Sequence, residues 1–370
     1  MSHPRRPHRW LTASLLALFT LGSAGVAGPV AATSGTGFHP GPWLRLAADA
    51  VDLVPGLSSV AQALVGPTAI DRGNDNRLTV LLVGSDHRDS EGTGERLDSI
   101  LVMTINHKTK NIAALSIPRD TGWIPLAEGG TFKAKINGLF KYYKKQSGGD
   151  RDTAMAKFER TIEHVLKIQI DYHALIRFDG FDALVDEVGG VPTAIPSEIR
   201  DTGYIDKPGW PKGARFLVND GALLRGADAA RCYGPYPRGE WQTAPNCLRA
   251  LVYVRSRKGK VGNSANSDWK RSRRQQDFIS FAIDRVTGRN LEQAYALRNA
   301  ANGLSNDFYT NMPTSNADVM AVYDLLKGSN LTQQVVLSPS TYATRVSGTS
   351  KYKLKLPEVR QLTGSWFGPI

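Results

Sequence analysis

The sequence predicts an α/β fold carried in one domain. Three observations point there. Residues 78–84, 99–105 and 112–117 are short runs of near-continuous Val, Ile and Leu, the composition of strands buried on both faces. No charged residue falls inside those runs, and several stand at their ends. Further along, segments with helical spacing alternate with strand-like segments and no internal repeat appears, which indicates one α/β unit.

Taken in order, the chain begins with Arg5, Arg6 and Arg9, followed by an apolar run from Trp10 to about Gly28. That is the order of a targeting element. Val30-Ala31-Ala32 suits small-residue cleavage and a secreted product; uncleaved, the run is just long enough for an anchor with its arginines inside. Residues 1–32 are therefore expected to form a basic cytoplasmic start and a signal or anchor helix. The remainder is expected outside the cytoplasm, as a single-pass membrane protein or as a secreted one cleaved near Ala32. Residues 33–77 hold Gly, Pro, Ala and Leu without a sustained period and read as an extracytoplasmic spacer, with a short helix over 44–53.

The domain proper is expected over 78–340. Asp86 follows its first strand, Arg96 and Asp98 precede the second, and Arg119 and Asp120 follow the third, which stops at Pro118. Ends of doubly buried strands are where charges meet water or a ligand. Two carboxylates and two guanidiniums there suit a hard cation and a phosphate, because Mg²⁺ takes one or two carboxylates plus phosphate and water oxygens, and Arg forks match phosphate.

After a glycine-bearing loop and Lys135, Asp152 is placed to cap a helix whose apolar face is Met155, Phe158, Ile162, Val165 and Leu166. Residues 170–176 alternate as a strand, 181–188 space as a helix ended by Gly189-Gly190, and 190–195 begin another strand. Residues 197–221 are polar, Pro- and Gly-interrupted, and predict a long loop over the site. The run 250–254 predicts a strand that presents Arg255 and Arg257 on one face. A helix is expected over 267–286, bringing Arg271 and Gln275 together at i and i+4, with later helices at 291–304 and 316–327 and a strand at 334–337. The tail, 341–370, is too mixed to assign and is expected to pack on or extend the domain.

The net charge is +12. Residues 249–274 hold nine basic side chains against the single acid Asp268, a field that calls for an anionic partner. The export signal argues against nucleic acid. Cys232 and Cys247 bracket a Pro/Gly-rich aromatic loop, and in an oxidising compartment that spacing suits one disulfide. The seven histidines show no metal-ligand spacing. Nucleophile-elbow, phosphate-loop, zinc-protease and dinucleotide motifs are absent.

With those residues in place, the chain resembles the LytR-CpsA-Psr family of cell-wall glycopolymer transferases. The resemblance rests on Leu82-Val83-Gly84-Ser85-Asp86, Arg96-Leu97-Asp98-Ser99, Ser116-Ile117-Pro118-Arg119-Asp120-Thr121 and Lys135-Ile136-Asn137. It continues through Phe181 to Val191, Tyr253-Val254-Arg255-Ser256-Arg257, Asp268-x-x-Arg271-x-x-Arg274-Gln275-Gln276 and, more weakly, Tyr309-Thr310-Asn311. It implies an α-β-α layered domain with a central mixed sheet. The implied activity is a polyisoprenyl-pyrophosphate-dependent phosphotransferase that moves a glycopolymer from its lipid carrier at the cytoplasmic membrane onto peptidoglycan through a phosphodiester. Carried over by motif, Asp86 and Asp98 are expected to hold Mg²⁺ (or Mn²⁺). Arg96, Arg119, Arg255 and Arg257 are expected as pyrophosphate and transition-state cations, with Lys135, Arg271 and Gln275 gripping the pyrophosphate. Arg96, Asp98, Arg119 and Asp120 are the expected catalytic group, Asp98 or Asp120 being the candidate base. Phe140, Phe158, Phe178 and Phe181 are candidates for the family's apolar lipid tunnel. The alternatives are a polyprenyl-pyrophosphate pyrophosphohydrolase and a non-catalytic protein that binds anionic wall polymer or lipid. The insert holding the cysteines departs from the family pattern beside Arg255.

Overall fold

The structure is a computed structural model. It describes residues 70, 76–86, 95–192, 199–201, 215–218, 223–226, 241–242, 248–262, 264–288, 291–304 and 306–368. The expected leader, the Cys232–Cys247 pairing and all of the expected spacer but Ile70, Asn76 and Arg77 lie outside the described residues. Among those described, no helix is long and apolar enough to cross a membrane.

The three apolar runs form β1 (Arg77–Ser85), β2 (Leu97–Asn106) and β3 (Asn111–Ser116) of a six-stranded sheet. β4 (Tyr172–Arg177), β5 (Phe308–Thr310) and β6 (Asn330–Val336) complete it in the order β5-β4-β1-β2-β3-β6. β1 runs antiparallel to β2 and parallel to β4; β3 runs antiparallel to β2 and parallel to β6. The sheet is mixed, as the resemblance implied. Alternate residues feed two cores: Leu78 and Val80 belong to one apolar cluster, Leu81 and Val83 to the other.

On one face lie α1 (Leu139–Gln146), α2 (Arg151–Leu166) and, from the tail, α8 (Leu356–Phe367), with Phe140, Phe158 and Phe367 among their buried contributions. The other face carries α3 (Phe178–Glu187), α4 (Ala250–Arg255), α5 (Asp268–Thr287), α6 (Leu291–Gly303) and α7 (Asn316–Leu326). The tail thus extends the domain with a helix and with a hairpin, Ala343–Arg345 and Tyr352–Leu354, the latter strand pairing in parallel with Thr121–Gly122.

Several local expectations are corrected. The run 250–254 is the helix α4, not a strand. Ala250 to Tyr253 are at most 2% exposed, and an apolar run buried all round carries no period to tell helix from strand. Its terminal carbonyls accept side chains of α5: Arg274 Nε reaches Tyr253 O at 2.9 Å and Gln275 Nε2 reaches Val254 O at 3.1 Å, which satisfies groups a helix end leaves open. The cap of α2 is Asp150, whose carboxylate accepts from Thr153 N at 2.9 Å, and Asp152 lies inside the first turn. The stretch expected as a loop over 197–221 includes strands Ile199–Asp201 and Arg215–Val218, which pair with each other. The strand expected at 190–195 is described only as Val191–Pro192. Gly189-Gly190 do end α3: both have positive φ, and a Cβ on Gly190 would stand 2.8 Å from Leu224 O.

Candidate active site

The sheet brings the chemistry to one end. Because β1, β3, β4 and β6 run one way and β2 the other, the C-termini of the first four and the N-terminus of β2 share one edge. Open sheets in α/β folds bind ligands beyond the carboxyl ends of their strands. A register shift between Gly84 and Ser85 bends the end of β1, and beyond it Asp86 N donates to Arg96 O while Arg96 N donates to Asp86 Oδ1, both at 3.0 Å. Asp86 is thereby tied to the segment that enters β2 with Asp98.

Asp98 accepts from Arg119 Nη1 through both oxygens, at 2.8 and 2.9 Å. Asp120 takes Lys135 Nζ at 2.9 Å and lies 3.9 Å from Arg119 Nε. Helix α5 starts at this same edge behind its cap Ser267. From its first turn Arg271 places Nη1 3.2 Å from Asp268 and Nη2 3.4 Å from Asp98 O. One turn on, Gln275 links Ser99 Oγ (3.0 Å) to Val254 O. Arg255, at the end of α4, stacks its guanidinium 3.9 Å over the Phe178 ring. Arg257 is more exposed, 3.9 Å from Asp268.

Behind the cations the structure opens into a cavity. Asp98, Ser99, Arg255, Arg271 and Gln275 stand among its walls, and deeper in it is lined by Phe178, Phe181, Phe278, Ile279, Ala282 and Phe308. Phe178 and Phe181 line this cavity. Phe140 and Phe158 do not: both are fully buried in the core across the sheet, because α1 and α2 pack on the opposite face.

The electrostatics of this end favour an anion and a cation together. Burial, and next the neighbouring Asp98 carboxylate, push Asp86 above the ordinary range. Burial pulls the Arg271 guanidinium down, only partly offset by Asp268. For Arg119 burial pulls the same way, but Asp98 outweighs it and the net shift is upward. Arg271 is 4% exposed. Among the described residues, neither its Nε nor that of Arg119 has a hydrogen-bond partner. Buried guanidinium N–H groups left unmatched are costly, and an acceptor supplied by a ligand answers that cost.

No group of three or more His, Cys, Asp or Glu among the described residues is arranged to hold a metal. Mg²⁺ needs only one or two carboxylates beside phosphate oxygens and water; Asp86 and Asp98 are the residues that would supply them, and their mutual repulsion, part of what raises Asp86, is what such a cation would relieve.

Arg96 is exposed and is fixed to Asp86 by its backbone. Lys135 sits on Asp120 rather than on the cavity wall. Three participants escaped the motif pattern. Ser99 closes the Arg96–Ser99 motif without a charge to mark it, and Phe278 reads as ordinary helix core. Glu95, 1% exposed, holds Arg177 Nε and Lys144 Nζ at 3.2 Å each and accepts from Ser85 Oγ at 3.2 Å; its neighbour Arg96 was the more conspicuous charge.

The model of the LytR_cpsA_psr family matches residues 59–365. The chain belongs to the LytR_cpsA_psr family. Among relatives of this family member, TagV of Bacillus subtilis (strain 168), a polyisoprenyl-teichoic acid–peptidoglycan teichoic acid transferase, is 28% identical over 232 residues, 59% of this chain and 49% of TagV. TagU of Bacillus licheniformis, a transferase of the same name, is 25% identical over 298 residues, 80% of this chain and 79% of TagU. The match thus spans about half of the one relative and four fifths of the other. In fold, the chain is similar to the crystal structure of B. subtilis TagV (TM-score 0.54, 23% identity, 80% of this chain and 100% of that one). It is similar also to TagT bound to LIIa-WTA (TM-score 0.50, 23% identity, 81% and 94%).

Proposed function

We propose that this protein transfers a glycopolymer from a polyprenyl pyrophosphate carrier to a hydroxyl of peptidoglycan, forming a phosphodiester. One observation carries the proposal: an apolar cavity whose mouth is rimmed by Arg255, Arg271, Gln275 and Asp98, with Arg119 held on Asp98. That shape matches an apolar chain ending in a pyrophosphate. It is also consistent with the names of the TagV and TagU relatives.

Phosphoryl transfer is mostly positioning and charge neutralisation. The prenyl chain lies against Phe178, Phe181, Phe278 and Ile279, which fixes its pyrophosphate at the rim. Arg271 and Arg119 donate to the pyrophosphate through the N–H groups that have no partner among the described residues, and Arg255, stiffened by stacking on Phe178, adds charge. Asp86 and Asp98 would hold Mg²⁺ (or Mn²⁺), which when bound neutralises charge on the pyrophosphate oxygens. A metal-bound carboxylate is a poor base, so Asp120 takes the acceptor's proton, Lys135 and Arg119 holding its carboxylate in place. The acceptor oxygen bonds to the glycan-side phosphorus, the bond from that phosphorus to the bridging oxygen breaks, and polyprenyl monophosphate leaves. The site lies outside the cytoplasm in this proposal, in keeping with the basic start and apolar run of the sequence.

The test is product analysis with the full chain in detergent, a polyprenyl pyrophosphate glycan and peptidoglycan, with EDTA as control. Transfer with release of polyprenyl monophosphate is expected, and Arg119→Ala should cost about 10²–10³-fold in turnover. Equal release with and without acceptor would indicate a pyrophosphohydrolase; salt-sensitive retention without release would indicate a binding protein.

A further inference from the structure

The tail brings an aromatic pair to the rim that none of the foregoing chemistry uses. Trp269 follows Asp268 in the first turn of α5, and its ring lies 5.1 Å from that of Tyr352, edge to face at 76°. Both side chains are half-buried. Around α5, Asp268, Arg271 and Gln275 serve the site, whereas Trp269 sits one position further round, on the side where Gln276 reaches Ser116 Oγ and Val335 O at the ends of β3 and β6. Tyr352 N donates to Asp120 O at 3.2 Å, and its strand pairs with Thr121–Gly122. The ring pair therefore bridges the helix turn that carries Arg271 and the segment that carries Arg119 and Asp120.

We infer that Trp269 and Tyr352 form a stacking subsite for a pyranose ring, that of the acceptor glycan. Half-buried rings offer a face to the apolar C–H side of a sugar. The placement selects the acceptor. The donor's lipid and pyrophosphate occupy the cavity and its rim, while the aromatic pair adjoins Asp120, the group proposed to take the acceptor's proton. Trp123 supplies an internal contrast: its ring is covered by Lys351 Nζ at 4.6 Å, so stacking on that face is already taken.

This inference rests on the transferase reading for its choice of sugar, and the experiment separates the two. The full chain is titrated with peptidoglycan-derived oligosaccharide and, separately, with a prenyl pyrophosphate-linked sugar, following tryptophan fluorescence; steady-state transfer is measured alongside. Trp269→Ala and Tyr352→Ala should each raise KM for the acceptor about tenfold or more and abolish the oligosaccharide-induced change. KM for the donor and the rate of polyprenyl monophosphate release should stay within about twofold, Trp269→Phe should recover most of the affinity, and Trp123→Phe should match the parent protein. Oligosaccharide binding that depends on Trp269 without any transfer would uphold the subsite while sinking the transferase reading. Loss confined to the donor arm, or unchanged acceptor KM in a folded Trp269→Phe/Tyr352→Ala variant that still transfers, would overturn the subsite and leave the transferase reading standing.

Discussion

Replacing Glu95 by Gln removes one carboxylate from between two cations, of which Arg177 lines the cavity. Glu95 is 1% exposed; Arg177 (8%) and Lys144 each approach it at 3.2 Å, and Ser85 Oγ donates to it at 3.2 Å. Removing one partner of a buried ion pair costs about 3–5 kcal/mol. The lower end applies because Lys144 keeps about a third of its side chain in water, so the expected loss is about 3 kcal/mol. For a domain of this size that lowers Tm by about 6–12 °C. Burial alone pushes Glu95 up, but Arg177 and then Lys144 outweigh it, and its folded pKa lies below the ordinary carboxylate value. A depressed folded pKa means the stabilisation is complete above the unfolded value of 4.5 and disappears as pH falls through the folded value. Thermal melts of the parent and Glu95→Gln at steps from pH 7 to pH 3 check this. The gap should be widest at neutral pH and close under acid. A gap of the same size at pH 3 and pH 7 would refute the reasoning, since cavity or packing effects do not titrate in that window.

Other consequences are testable on the same protein. Asp86→Asn should raise Tm slightly at neutral pH while reducing turnover by about 10²-fold or more. Asp86's folded pKa lies above its unfolded value, so the penalty on folding grows as pH rises through the unfolded value and is complete above the folded one; melts should converge at acid pH. Ala282→Trp, pointing into the cavity walled by Phe278 and Ile279, should raise KM for a long prenyl pyrophosphate at least tenfold with little loss of Tm, read by steady-state release of monophosphate. Tyr143 lies across the sheet, its phenol at 2.6 Å from Thr161 Oγ1 and pushed up by burial to about 12. Tyr143→Phe should therefore cost about 1 kcal/mol of stability, delete an ultraviolet titration step near that pH, and leave turnover unchanged.

Much of this was legible in the residues themselves. β1, β2 and β3 announce themselves because a strand buried on both faces has no polar alternation to confuse, and the charges at their ends mark the site. α5 is readable from its 3.6-residue spacing, so Arg271 and Gln275 could be placed together. The site residues that the motifs nominated do converge on one sheet edge, though Lys135 does so by way of Asp120. What stayed hidden depends on tertiary contacts. α4 is too short and too apolar for a period, and the partners that cap it lie about twenty residues on, in α5. The tail's hairpin acquires meaning only by pairing with Thr121–Gly122, more than two hundred residues earlier. Phe140 and Phe178 are indistinguishable as sequence; which side of the sheet each occupies follows from whether its helix crosses over or under. Glu95 was masked by Arg96 because burial, not residue type, makes it matter.

The most direct measurement is to photolyse the full chain with a diazirine-bearing prenyl pyrophosphate and map the adducts by mass spectrometry. Adducts on Phe178, Phe181, Phe278 or Ile279, displaced by unlabelled prenyl pyrophosphate and lost in Ala282→Trp, are the expected result. Adducts confined to α1, α2 or the exposed surface, or cavity adducts that excess ligand fails to displace, would contradict the assignment of this cavity to the lipid carrier.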